Sequence, residues 1–110
     1  MSEKQKLLIV DDSELNRDIL KEILGSRYDY MEAENGTQAI QILEVHPEID
    51  LMLLDINMPQ MNGFQVLEHM RELQWIDEVP VVMISSEESV EIMRKAYDLG
   101  ITDYISRPFD

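Results

Sequence analysis

Residues 51–59 read LMLLDINMP. Four apolar side chains, Leu51 to Leu54, run straight into a carboxylate at Asp55, and the chain turns at Pro59. A short, continuous apolar run of this kind suits a strand buried on both faces of a sheet, where an alternating run would suit a half-exposed one. The same pattern recurs at Leu7–Val10, which runs into Asp11 and Asp12, and at Val81–Ile84, which runs into Ser85. Weaker runs lie at Tyr28–Ala33 and Asp103–Ser106, the latter followed by Arg107.

Helical patterns fill the gaps between these runs. Leu15, Ile19, Leu20, Ile23 and Leu24 form one apolar stripe, closed by Gly25 at a C-cap position. Thr37 to Glu44 form a second helix, entered through Glu34-Asn35-Gly36 and stopped before Pro47. Phe64, Leu67 and Met70 mark a third helix beginning at Gly63, and Val90, Met93, Ala96 and Tyr97 mark a fourth that ends at Gly100. Strands alternating with helices make right-handed βαβ units in a parallel sheet. Five strands predict an α/β fold of the flavodoxin-like, doubly wound kind with order 2-1-3-4-5. Ligands in such folds sit outside the carboxyl ends of the strands.

Composition narrows the function. The chain has 110 residues with no linker-like stretch, which predicts a single domain over residues 1–110. It has 9 basic against 23 acidic residues, a net charge of -14, which argues against direct nucleic-acid binding. There is no cysteine, so disulfides and thiolate metal sites are excluded. No stretch is long and apolar enough for a signal peptide or a membrane span, and the expectation is a soluble, cytoplasmic protein. The eight methionines are scattered through apolar runs and read as core filler.

The predicted sheet brings Asp11, Asp12, Asp55, Ser85 and Arg107 to one edge. Each has an ordinary reading alone. Asp11 or Asp12 could cap the first helix, with Asp11 and Glu14 at capping-box spacing. Asp55 could be a loop acid, Ser85 a strand-end hydroxyl, Arg107 a solvated charge and Tyr104 a core aromatic. His46 and His69 read as surface residues.

Together the residues make a coherent site. Three neighbouring carboxylates repel one another unless one is protonated or a cation sits among them. An all-oxygen donor set favours Mg²⁺, Mn²⁺ or Ca²⁺ over zinc. Ser85 and Arg107 opposite the acids suit the remaining oxygens of a phosphoryl group. A carboxylate nucleophile, a metal and a cationic clamp describe phosphoryl transfer onto Asp55.

Over nearly its whole length the chain resembles the receiver domain of two-component response regulators. The matching stretches are LLIVDDS, DLMLLDINMPQMNGFQVL, PVVMISSEES and LGITDYISRPF. The resemblance implies that Asp55 accepts phosphate from the phosphohistidine of a sensor histidine kinase. It implies that Asp12, Asp55 and the Asn57 backbone carbonyl hold Mg²⁺, with Asp11 acting through metal-bound water. It further implies that Ser85 binds the phosphoryl group and that Tyr104 swings inward as the Ser85 hydroxyl moves. Such domains catalyse only their own phosphorylation and dephosphorylation. Asn57 and Glu87 stand where the family tunes hydrolysis, in a combination resembling short-lived chemotaxis regulators.

Two departures stand out. The family's lysine before proline is Arg107 here, preceding Pro108, where a cis peptide bond is expected. This predicts altered coupling of phosphate to Ser85 and Tyr104. The sequence also stops at Asp110, where the family continues into a fifth helix. The expectation is a piece of a longer regulator, its final helix absent, self-associating through an uncovered sheet face.

Two rival readings remain. A haloacid-dehalogenase-type phosphotransferase also uses an Asp nucleophile after a strand, but it needs a second acid where this chain has Asn57. A phosphorylation-independent pseudo-receiver would be favoured by Arg107 and opposed by the intact acids. Nucleotide-binding glycine loops are lacking.

Overall fold

A computed structural model describes residues 4–87 and 89–107. Five strands, β1 (Gln5–Val10), β2 (Tyr28–Ala33), β3 (Leu51–Asp55), β4 (Val81–Ser85) and β5 (Asp103–Ser106), form one sheet. All pairs are parallel and the order is β2-β1-β3-β4-β5, the flavodoxin-like topology expected from the sequence. Four α-helices cross between them: α1 (Glu14–Leu24), α2 (Gly36–Val45), α3 (Gly63–Glu72) and α4 (Val90–Asp98). No helix follows β5 among the described residues, and none of their helices is long and apolar enough to cross a membrane. The expected cis bond at Arg107–Pro108 lies outside the described residues.

The strands alternate between two apolar clusters, as successive side chains of a strand must. Leu8, Val10, Met52, Leu54, Val81 and Met83 face α2, α3 and α4, meeting Ala39, Leu43, Val66, Leu67, Met70 and Ala96. Ile9, Leu53 and Ile84 face the other way and meet Leu20, with Leu24 at the margin. Because both faces are apolar, the sequence of the central strands reads as unbroken. Met52, Met70 and Met83 are fully buried, consistent with their reading as filler.

The caps explain where the helices begin. Ser13, not Asp11 or Asp12, caps α1, its hydroxyl accepting the Asn16 N–H at 3.2 Å. The capping-box reading of Asp11 with Glu14 fails because β1 ends at Val10 and α1 begins at Glu14, which leaves Ser13 in the half-turn position. Asn35 caps α2, which starts one residue before the expected Thr37, and Asn62 forms a full capping box with Gln65 on α3. Gly25 closes α1 at φ 79°, as its position predicted.

The apolar stripe of α1 falls on a helix closed by Gly25, as its spacing predicted. Only Leu20 of the five is buried, while Leu15 and Ile23 remain 68% and 58% exposed. The spacing marked a face correctly, but on this face the described residues supply one helix against five strands, too little to cover the whole stripe.

Candidate phosphoacceptor site

Asp55 is the last residue of β3, and its neighbours in the sheet set the site. Val10 of β1 pairs with Leu54, and Asp55 pairs with Ile84, so the residues just past β1 and β4 arrive beside it. Asp11, Asp12 and Asp55 each offer a carboxylate oxygen, and these oxygens lie within 4.8 Å of one another. Asp11 and Asp55 are buried and Asp12 is exposed. The strand ends therefore bring together the three acids that the sequence placed at this edge.

Each acid is held differently. The Asp11 carboxylate accepts the Ser13 N–H through Oδ1 at 2.9 Å and Arg107 Nη2 through Oδ2 at 2.6 Å. Its backbone carbonyl accepts Arg17 Nη1 at 2.7 Å, and Arg17 is itself paired with Glu32 at the end of β2. Asp55 lies 3.3 Å from the same Arg107 Nη2. Burial, and then the charge of Asp11, push the Asp55 carboxyl up to about 6 from 3.8. Arg107 and the Asn57 backbone amide act in the opposite direction, while Asp12 adds a smaller upward push.

Across from the acids stand the polar groups of β4 and β5. Ser85 is fully buried, and its Oγ accepts the Glu87 N–H at 3.0 Å, which leaves the hydroxyl proton for another acceptor. Tyr104 is buried, and its hydroxyl donates to the Glu87 carbonyl at 2.7 Å. The Glu87 backbone is thus gripped from both sides by the two residues expected to move together. Tyr104 lies inside, the place of a core aromatic and also the inward position that the resemblance implies. The Arg107 N–H extends the sheet by one bond, donating to the Ser85 carbonyl at 2.9 Å. Asn57 is exposed and Glu87 half-buried, on the loops that follow β3 and β4. His46 pairs with Glu48 at 2.9 Å and His69 is exposed, both on elements away from this edge.

Three supports went unnoticed in the sequence. Arg17 and Ser13 hold Asp11; the first reads as an ordinary helix residue and the second as an ordinary helix cap, and neither signals the contact. Gly63 carries a legible but ambiguous signal, a glycine opening a helix. A Cβ there would collide with the Asp55 carbonyl oxygen and lie 2.9 Å from the Ile56 Cα. The residue permits the start of α3 to close on the backbone of β3, and its N–H donates to the Ile56 carbonyl at 2.9 Å. Gln60, at φ 68°, makes the tight turn between these elements, and buried Met58 pins the loop from below.

The donor set fits a hard divalent cation: it consists of three carboxylates, and burial together with the charges of Asp11 and Asp12 pushes the Asp55 carboxyl up. The sequence matches the response regulator receiver domain over residues 7–110. It is 36% identical to chemotaxis protein CheY1 of Helicobacter pylori over 106 residues, covering 94% of this chain and 86% of that protein. The fold is similar to that of a response regulator receiver protein from Pseudomonas putida, with a TM-score of 0.89 and 26% identity, covering all of this chain and 91% of the other. It is also similar to a chain in the CheX-CheY-BeF3-Mg²⁺ complex from Borrelia burgdorferi, with a TM-score of 0.86 and 30% identity over 96% of this chain and 80% of that one. With its sheet order, its edge of acids and a sequence match of nearly full length, the chain belongs to the response regulator receiver domain family.

Proposed function

We propose that this domain is a phosphoacceptor switch in a two-component system. It takes a phosphoryl group from the phosphohistidine of a sensor histidine kinase onto Asp55, and its altered surface then controls an output partner or domain. The observation that carries the reading is the convergence of Asp11, Asp12 and Asp55 opposite Ser85 and Arg107 at the carboxyl edge of the sheet. Asp12, Asp55 and the Asn57 carbonyl would hold Mg²⁺, with Asp11 bound through water, and Mn²⁺ or Ca²⁺ are substitutes of the same chemistry. When bound, the ion supplies positive charge to the acids and to the phosphoryl oxygens.

The residues of the chain do the rest. Asp55, raised to about 6, is mostly ionised at neutral pH, so a carboxylate oxygen is available to attack phosphorus as the histidine nitrogen leaves. The Ser85 hydroxyl, already accepting from Glu87, would donate its proton to a phosphoryl oxygen, and the Arg107 guanidinium, 3.3 Å from Asp55, stands within reach of the same oxygens. Any pull on Ser85 bears on the Glu87 backbone and through it on Tyr104, which would carry the signal to the surface. Asn57 and Glu87 flank the path of the water that removes the phosphoryl group. The BeF3 and Mg²⁺ named with the Borrelia relative support this reading, as does its pairing there with a protein partner. The net charge of -14 favours protein output over direct contact with nucleic acid.

The test is phosphorylation by acetyl phosphate with Mg²⁺, followed by intact-protein mass. One phosphoryl group is expected on the parent and none on Asp55→Asn. A second reading, a pseudo-receiver that only binds protein, draws on the Arg107–Asp11 pair, which partly neutralises the acids without an ion. No mass gain on the folded parent would select it.

A further inference from the structure

We propose that Arg107 is a resident counter-cation of the acidic pocket, which a divalent cation must dislodge from Asp11 before it is held, so that this residue sets the pocket's affinity for the ion. The inference rests on the phosphoacceptor reading and adds to it a determinant of metal occupancy.

The geometry is specific. Asp11 is almost completely buried and both of its oxygens are engaged, Oδ1 by the Ser13 N–H at 2.9 Å and Oδ2 by Arg107 Nη2 at 2.6 Å. The same nitrogen lies 3.3 Å from Asp55 Oδ1. One guanidinium nitrogen therefore bridges two of the three carboxylates that would receive an ion, using oxygens that the ion or its bound waters require. Two positive centres competing for the same oxygens repel strongly in a poorly solvated pocket.

The backbone restricts how Arg107 can yield. Its N–H is bonded to the Ser85 carbonyl at 2.9 Å, which ties the main chain to the end of β4. Release therefore falls to the side chain, which is 21% exposed and has a path to solvent. Guanidinium is weakly hydrated and directional, so it competes well for a buried acid. An ammonium has the same charge on a shorter arm and is more strongly hydrated, and it would hold Asp11 less firmly. Arginine at position 107 thus raises the threshold of ion concentration at which the site loads, and loading moves the guanidinium away from Asp11.

The test measures binding by titration calorimetry with Mg²⁺, and independently by the electron paramagnetic resonance of free Mn²⁺. The parent chain is compared with Arg107→Lys and Arg107→Met, each checked for folding by circular dichroism. Displacement predicts that Mg²⁺ binds about fivefold tighter to Arg107→Lys and more than about tenfold tighter to Arg107→Met. Equal affinity of the parent and Arg107→Lys, within about twofold, would overturn the inference, because charge alone would then account for any gain in the methionine variant. That result leaves Asp55 phosphorylation by acetyl phosphate standing, so the two readings fail separately. Absence of saturable binding in all three folded proteins would remove the ion site and the inference with it. Should Arg107→Met fail to fold, the lysine comparison decides alone.

Discussion

At the scale of a residue, Asp55 illustrates the tension between site and stability. Its folded-state pKa, about 6, lies above its ordinary value of 3.8, so the native chain holds a proton that the unfolded chain releases between these values. The contribution of this group to stability is therefore fully present below about pH 4 and is lost as pH rises through about 6. Without a divalent ion, the parent should lose stability across that window, and Asp55→Asn should not. At neutral pH the variant is expected to be more stable by on the order of 1–3 kcal/mol, read from urea unfolding at pH 4 and pH 7. Equal pH profiles for the two proteins would show that burial and Asp11 do not burden Asp55 as argued. Addition of Mg²⁺ at pH 7 should narrow the difference by stabilising only the parent.

At the scale of an element, the approach of α3 to β3 depends on a side chain that is missing. Gly63 opens α3 where a Cβ would meet the Asp55 carbonyl, in a negative-φ conformation that any residue could otherwise adopt. Gly25, by contrast, has open space around it but a φ of 79°. The two glycines therefore answer to different constraints, space in one case and backbone conformation in the other. Gly25→Ala is expected to cost about 1–3 kcal/mol, because φ 79° with ψ -164° is a backbone region essentially reserved for glycine. Gly63→Ala is expected to cost more than about 2 kcal/mol, because the start of α3 must move off β3. It should also slow phosphorylation by acetyl phosphate, since Asp55 moves with that backbone. Denaturant midpoints and phosphorylation rates of the two variants check the distinction, and a Gly25→Ala variant that slows phosphorylation as much as Gly63→Ala would contradict it. Both glycines were visible in the sequence as helix boundaries. Which constraint each one meets depends on what lies across from it in space.

At the scale of the whole molecule, the two faces of the sheet are unequally covered. The face toward α2, α3 and α4 carries the larger apolar cluster, while the other is met by α1 alone among the described helices. Leu15, Ile19 and Ile23 recur four residues apart on α1 and stay exposed, as does Ile105 of β5. Burying such side chains is worth about 25 cal/mol per Å², while a charge of -14 opposes close approach of two copies. Self-association of the 110-residue chain is therefore expected to be weak at low ionic strength and to strengthen with salt as the repulsion is screened. Sedimentation velocity across a salt series checks this, and Ile19→Glu with Ile23→Glu should return the chain to a monomer. A monomer at every salt concentration would show that the face needs no cover.

The sequence by itself determined the strand order, the element types and the edge where chemistry would gather. Unbroken apolar runs and alternating helical stripes follow from burial, and burial is written in residue type. It placed Asp11, Asp12, Asp55, Ser85 and Arg107 at one edge because parallel strands must align their carboxyl ends. The partners of each group were decided only by the tertiary structure. Ser13 took the cap for which Asp11 was also at the right spacing, Arg107 settled on Asp11 as well as Asp55, and Tyr104 was drawn inward to the Glu87 carbonyl. Those choices turn on ångström distances between residues up to 96 positions apart, set by how strands and loops close in three dimensions. Periodicity along a chain carries no record of them.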